Sequence, residues 1–337
     1  MAAACGSDAD AGGVASAGSP DRLDDVVAWE REITLEENDG TINVVVRADP
    51  DPRGGFLVAD EREGYIRRYA PDGMLLRQFG GRGAGPGEFD RPLRALCLAD
   101  GTIAAFDGAY RGAVFDSTGE RLLRTFRTPI GPLHSVTLLD DSLVLLGGRH
   151  AEGERSASAR LHRWNLNRDS LEASFFSPPA PSQAHTVTSA SAPWSGVDRR
   201  GDTLAVVTAL SDTVYLLSMD GTTLERIPIP SARLRRLDPR GPLPDARGGV
   251  GAARSWFASF SLIADVFWVG DTFLVQYQDR TRREPDWRLL GMTRDGKRTF
   301  EAVDTPFLLA ADEGTLYFVA PGSATPNVWR SARLTRR

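Results

Sequence analysis

The sequence predicts an all-β chain, a six-bladed β-propeller of four-stranded antiparallel blades whose ring is closed by the N-terminal strand. Three observations predict it. Six times a turn-rich pair is followed at once by a short alternating apolar strand: Gly54-Gly55-Phe56-Leu57-Val58, Asp100-Gly101-Thr102-Ile103-Ala104, Asp140-Asp141-Ser142-Leu143-Val144, Gly201-Asp202-Thr203-Leu204-Ala205, Gly270-Asp271-Thr272-Phe273-Leu274 and Glu313-Gly314-Thr315-Leu316-Tyr317. A hairpin repeated at intervals of roughly 40 to 70 residues marks a propeller, where each blade is one small sheet. Outer turns form a second repeat, and one unmatched apolar strand at the N-terminus is the third observation.

Taken in order, residues 1–25 open with Ala2-Ala3-Ala4-Cys5 and a run of Gly, Ala, Ser and Asp that cannot bury enough apolar surface to fold, so they read as a disordered tether. The propeller is expected over residues 26–337, and Val27 to Leu35 supplies its first strand. Outer turns follow at Tyr69-Ala70-Pro71-Asp72-Gly73, Phe115-Asp116-Ser117-Thr118-Gly119, Leu217-Ser218-Met219-Asp220-Gly221 and Met292-Thr293-Arg294-Asp295-Gly296. Glycine suits the positive φ of such turns. In the third blade Trp164-Asn165-Leu166-Asn167-Arg168-Asp169 takes this place, with asparagine expected in the glycine's role. The last blade, from Phe307 to about Leu334, has only three strands, and the spare N-terminal strand completes it. Such closure removes an exposed sheet edge.

Innermost strands are announced by proline: Pro92-Leu93-Arg94, Pro132-Leu133-His134, Pro193-Trp194-Ser195 and Pro306-Phe307-Leu308. A first strand residue loses no ladder bond to proline's missing N–H. The fifth blade lacks this proline, and the first has a longer turn, Asp49-Pro50-Asp51-Pro52-Arg53.

From Gly54 to Phe126 the chain resembles the NHL-type six-bladed propellers. The residues that carry the likeness are Val58-Ala59-Asp60, Ile66-Arg67-Arg68-Tyr69-Ala70-Pro71-Asp72-Gly73, and Gly80-Gly81-Arg82-Gly83-Ala84-Gly85-Pro86-Gly87-Glu88-Phe89 with Arg91-Pro92. Two blades match well; the other four share only the generic hairpin. The resemblance implies a propeller and, in bacteria, often an envelope-attached one. Members serve as interaction platforms and some are enzymes, so activity does not follow from fold.

Net charge is −5, with 40 basic and 45 acidic residues spread through the chain, against the large basic excess of a nucleic-acid binder. No apolar run approaches the ~20 residues needed to span a bilayer. Two cysteines allow neither a disulfide framework nor a multi-cysteine zinc site. Cys97, in Leu96-Cys97-Leu98, reads as a buried core thiol. Small residues, then Cys5, then a polar tether resemble the processed end of a bacterial lipoprotein, which makes Cys5 a lipidation candidate. A lipoprotein signal needs a basic start and an apolar segment before the cysteine, and only four residues precede Cys5. Envelope attachment therefore requires a start upstream of Met1; with Met1 as the start, the protein is expected in the cytoplasm.

Catalytic motifs are not found. Of the four histidines, His150 and His162 are placed in a long loop, His185 in a Pro/Ser/Ala loop, and His134 at a strand start facing the channel. None has metal-ligand spacing. NHL-like amidating lyases use several channel histidines, and lactonase-type propellers hold one divalent ion with acids from several blades. The pairs Asp24-Asp25 and Asp140-Asp141 are more simply read as turn and strand-start residues. The glycine-rich Gly80–Gly87 run lacks the lysine and following helix of a phosphate loop. No Gly-x-Ser-x-Gly elbow occurs. No metal, cofactor or catalytic residue is assigned.

Long segments, Gly147 to Ala159, Ser177 to Pro193, Pro228 to Trp256 and Gln278 to Trp287, all fall between blades or between second and third strands, and so emerge on one face. Loops on a rigid scaffold commonly carry binding residues. Within Ser231 to Arg254, six arginines (Arg233, Arg235, Arg236, Arg240, Arg247, Arg254) face only Asp238 and Asp245, a local excess of four positive charges. Arginine's planar fork suits carboxylates and phosphates. Arg94, His134, Trp194, Arg235, Arg236, Arg240 and Trp256 are the candidate binding residues. The reading is a monomeric, non-enzymatic binding protein for a protein, peptide or glycan, with a lipid anchor as its sole membrane contact. Alternatives are a metal-dependent hydrolase or lactonase at the channel mouth, and a structural module of an envelope complex.

Overall fold

The computed structural model describes residues 19–37, 42, 45–150, 159–191, 195–241, 243, 249–279, 286–321 and 326–335. Six antiparallel four-stranded sheets form the blades. A short helix α1 (Leu23–Val26) leads into β1 (Val27–Thr34). Blade 1 is β2 (Val45–Pro50), β3 (Phe56–Asp60), β4 (Tyr65–Tyr69) and β5 (Leu75–Gly80); blade 2 is β6 (Pro92–Cys97), β7 (Ile103–Asp107), β8 (Arg111–Phe115) and β9 (Leu122–Arg127). Blade 3 is β10 (Ser135–Leu138), β11 (Leu143–Gly147), β12 (Leu161–Asn165) and β13 (Ser170–Phe175). Helix α2 (Gln183–Ser191) precedes blade 4, β14 (Ser195–Arg200) to β15 (Thr203–Thr208), β16 (Thr213–Ser218) and β17 (Thr223–Pro228). Helix α3 (Gly249–Phe257) precedes blade 5, β18 (Ser261–Val269), β19 (Thr272–Asp279), β20 (Asp286–Thr293) and β21 (Arg298–Ala302). Blade 6 is β22 (Leu308–Asp312), β23 (Thr315–Val319) and β24 (Val328–Leu334), with β1 paired to β24 from Val27↔Leu334 to Thr34↔Val328. The N-terminal strand thus closes the ring.

Each blade is sandwiched by its neighbours, so second strands such as β3 and β7 are buried along their whole length. The core consists of six apolar interfaces between adjacent blades. Phe106, Phe126, Val144 and Trp164 join blades 2 and 3. Ile33 and Leu35 from the β1 end, with Trp329, Leu309, Phe56 and Tyr69, join blade 6 to blade 1. Burial of these side chains contributes roughly 1.5–3 kcal/mol each.

The five expected outer turns are present, each with a β-bulge beside it, as at Arg68/Tyr69 and Val114/Phe115. Gly73 (φ 95°) must be glycine, since a Cβ there would meet the Thr34 carbonyl oxygen at 2.3 Å. In blade 3 the positive φ falls on Asp169 (φ 47°), not on the asparagine expected to take it. The Asn165 side chain instead accepts from the Arg168 N–H and donates to Glu172.

Other expectations shift. His162 lies in β12, fully buried, and His185 in α2; neither is a loop residue. Trp256, read as the end of the long segment from Pro228, lies in the last turn of α3. Cys97 is half-buried, its thiol pushed up first by burial and then by Asp51. Pro20 to Asp25 were assigned to the tether, yet Asp21 bridges to Ala302 and Leu23 is buried between blades 5 and 6. Cys5, Pro193, Trp194 and residues 1–18 lie outside the described residues.

Candidate functional site at the channel mouth

Chain direction separates the two faces. First strands run from one face to the other, so blade-to-blade links and second-to-third-strand loops share a face, the loop face; the opposite face carries the short turns. Gly147 and Leu161, which end β11 and begin β12, Asp279 and Asp286, which do the same for β19 and β20, and helices α2 and α3 all lie towards the loop face. A cavity of about 350 Å³ opens there at the centre of the ring. Its walls come from the starts of the innermost strands: Val45 and Arg47 on β2, Leu93 and Arg94 on β6, His134 and Ser135 at β10, Ala264 and Asp265 on β18, and Phe307 before β22. Gln278 on β19 and Trp287 on β20 complete the rim.

Bulges aim these side chains. Register slips between Val45 and Ala48, Pro92 and Arg94, Ile263 and Asp265, and Leu308 and Ala310. Arg47, Leu93 and Ala264 are residues left over by such slips, and all three line the cavity. A bulge frees a residue from the ladder and re-aims it, which is why bulges cluster at functional sites.

Ion pairs floor the cavity. Arg47 reaches across the ring from blade 1 to Asp265 of blade 5 (2.9 Å) and Asp198 of blade 4 (3.8 Å), and donates to the Val197 carbonyl. Its guanidinium also lies 4.7 Å from the Phe267 ring centroid. Burial alone would lower the Arg47 pKa, but Asp265, Asp198 and Asp49 together raise it; burial pushes Asp265 up. Arg94 holds Asp49 of blade 1 through a two-pronged pair and donates to the Val136 carbonyl of blade 3. The two arginines therefore tie together five blades across the axis. Breaking a buried pair of this kind typically costs about 3–5 kcal/mol.

A further repeat escaped the sequence reading. Asp60, Asp107 and Asp279 each end a second strand and pair with an arginine at the start of the third: Arg67 (3.0 Å), Arg111 (3.0 Å) and Arg288 (2.9 Å). The same carboxylates cap loop N–H groups, as Asp60 does for Arg62 and Asp107 for Ala109. An Asp ending the second strand with Arg opening the third was its visible signal.

Of the seven sequence candidates six lie among the described residues, and only Arg94 and His134 line the cavity. Arg94 lines the cavity but is consumed by Asp49. His134 lines it with a buried Nε2 that lacks a hydrogen-bond partner; burial first, then Arg91 and Arg160, hold its pKa at about 4, so the ring is neutral. Arg235 is tied to Asp279 (3.1 Å) and to the Ala258 carbonyl (2.8 Å). Trp256 is half-buried, its ring 5.3 Å from both Phe257 and Phe260, in the cluster that seats α2 and α3 over blades 4 and 5. Arg236 and Arg240 are exposed on the loop face, Arg236 only loosely paired with Asp212 at 3.9 Å. Trp194 lies outside the described residues.

No group of three or more His, Cys, Asp or Glu side chains among the described residues is disposed to hold a metal ion. No helix among them is long and apolar enough to cross a membrane.

No family model matches the sequence, and no curated protein does. Solved structures do. The fold is similar to that of a DUF4221 family member from Bacteroides vulgatus, with a TM-score of 0.64 at 9% identity over 92% of this chain and 97% of that one. It is likewise similar to a Bacteroides fragilis protein described as exported, with a TM-score of 0.66 at 13% identity over 95% of this chain and 98% of that one. At such identities the likeness extends to the fold, a complete six-bladed propeller.

Proposed function

We propose that the chain is a non-enzymatic binding module that carries a protein, peptide or glycan partner on its loop face and is attached to the cell envelope. The observation that supports this reading is the asymmetry of the two faces. Among the described residues, both larger helices and the strand ends that flank the β11–β12 and β19–β20 connections stand on the face where the central pocket opens, while glycine turns such as those at Gly73, Gly119 and Gly296 stand on the other. Arg236 and Arg240 form the exposed cationic part of that face, beside Leu243, which is also exposed. An anionic partner would approach under electrostatic steering, so its affinity falls as salt rises. Charge reversal of Arg236 and Arg240 to Glu should leave the melting temperature unchanged within about 0.5 kcal/mol of stability. It should also remove the salt-sensitive fraction of partners captured from an envelope extract. An unchanged captured set at low and high salt would refute the role of these arginines. Arg235 is left alone in this test because its guanidinium holds the loop to Asp279.

Envelope attachment is read from Cys5 and the composition around it, and the description of the Bacteroides fragilis neighbour as an exported protein is in keeping with it. Expressed from the natural gene start, the protein should partition into detergent, and Cys5→Ser should release it, since acyl burial is worth about 0.8 kcal/mol per CH₂. Wild-type protein wholly in the aqueous phase would contradict the anchor.

A further inference from the structure

The channel-mouth cavity has a chemistry separate from the exposed rim. At about 350 Å³ it is within the range, roughly 300–1,000 Å³, of small-molecule sites. Its charged lining is closed on itself. Asp265 accepts from Arg47 through both carboxylate oxygens and from the Val266 N–H. Arg94 is spent on both oxygens of Asp49 and on the Val136 carbonyl. Asp198, the other carboxylate facing Arg47, lies outside the lining and accepts from the Arg199 and Trp268 N–H groups. His134 adds no charge, since burial first holds its pKa at about 4. A charged ligand would lose its hydration here and find the counter-charges already matched, which is costly. The rest of the lining suits a ring. Val45, Leu93, Ala264, Trp287 and Phe307 make it apolar, and Leu93 and Ala264 are there because bulges release them from the ladder. Trp287 and Phe307 are half-buried, their ring centroids 4.7 Å apart and their planes tilted by 55°. Half-buried rings that line a cavity offer a third ring the tilted or edge-on contacts that aromatic groups prefer.

We propose that the channel-mouth cavity is a binding site for an uncharged aromatic small molecule, its ring system packed among Leu93, Ala264, Trp287 and Phe307 against the Arg47–Asp265 pair. Affinity comes from taking the ring's apolar surface out of water and from its contacts with the two aromatic side chains. Selectivity comes from the matched ion pairs, which offer a carboxylate or an ammonium group less than water does. The inference goes beyond the rim partner and rests on different residues.

Titration calorimetry of the full chain with naphthylmethanol, naphthoate and naphthylmethylamine tests this directly, since the three share one ring system and differ in charge. Naphthylmethanol should bind at least about tenfold more tightly than either charged analogue. Its saturated counterpart, decahydronaphthylmethanol, should bind several-fold more weakly, because it lacks the ring-to-ring contacts. Ala264→Phe fills the cavity from a residue outside the ladder register, and should abolish naphthylmethanol binding. Trp287→Ala provides the same reading should Ala264→Phe fail to fold, with a loss of about tenfold. No binding of naphthylmethanol, equal or tighter binding of a charged analogue or of the saturated alcohol, or affinity untouched by whichever of the two variants folds would overturn the assignment. Arg236 and Arg240 take no part in it: a partner on the rim and a ring in the cavity stand or fall by different variants.

Discussion

His134 and His162 are held neutral in the folded chain, with pKa values of about 4 set first by burial and then by neighbouring cations or His150. His162 bonds Ser174 through Nδ1 (2.8 Å), and its Nε2 is buried without a partner. In the unfolded chain both would titrate near 6.5. Between those values the unfolded state binds protons that the folded state does not, so the stability contributed by the neutral rings is complete above about pH 6.5 and is lost as pH falls towards 4. Thermal melts from pH 7 to 4 should show this decline, and His162→Phe should flatten it even where it lowers stability at pH 7. An unaltered slope in both His162→Phe and His134→Phe would mean that the acid response arises elsewhere.

At the scale of the strand, β1 carries most of the closure. Its register with β24 covers Val27 to Thr34, Ile33 and Leu35 are buried against Trp329, and Trp29 packs edge-on against Phe318 at 5.4 Å. Deleting residues 1–36 removes this strand and exposes β24 as an unpaired edge. Deletion of 1–18 should leave the melting temperature within about 1 °C of the full chain, whereas deletion of 1–36 should lower it by 10 °C or more, as expected for the loss of several buried side chains. Equal melting temperatures for the two truncations would remove β1 from the account of stability. The strands and their closure were legible because period-two alternation and glycine turns are local signals. The bulges were not: one extra residue between Pro92 and Arg94 leaves no mark in an apolar run, yet it decides that Leu93 faces the cavity. Arg94 and His134 were found by the proline that precedes them, but Arg47 and Asp265 meet across 218 positions of sequence, a contact no local pattern carries. Helices α2 and α3 were hidden in segments read as loops, since Gln183–Ser191 is mostly small and polar and lacks an apolar stripe.

The whole molecule places its apolar surface between blades and leaves its axis to ion pairs, so the ring is a stiff support on which one face is elaborated. That asymmetry is the basis of the proposed function. It is tested most directly by hydrogen exchange of the free protein compared with the protein bound to a partner purified from the envelope. Binding should slow exchange in peptides that carry the loop-face helices, 176–191 and 249–260, and leave turns 70–74, 116–120 and 293–297 of the opposite face unchanged. Protection confined to those turns, with the loop-face peptides exchanging as in the free protein, would contradict it.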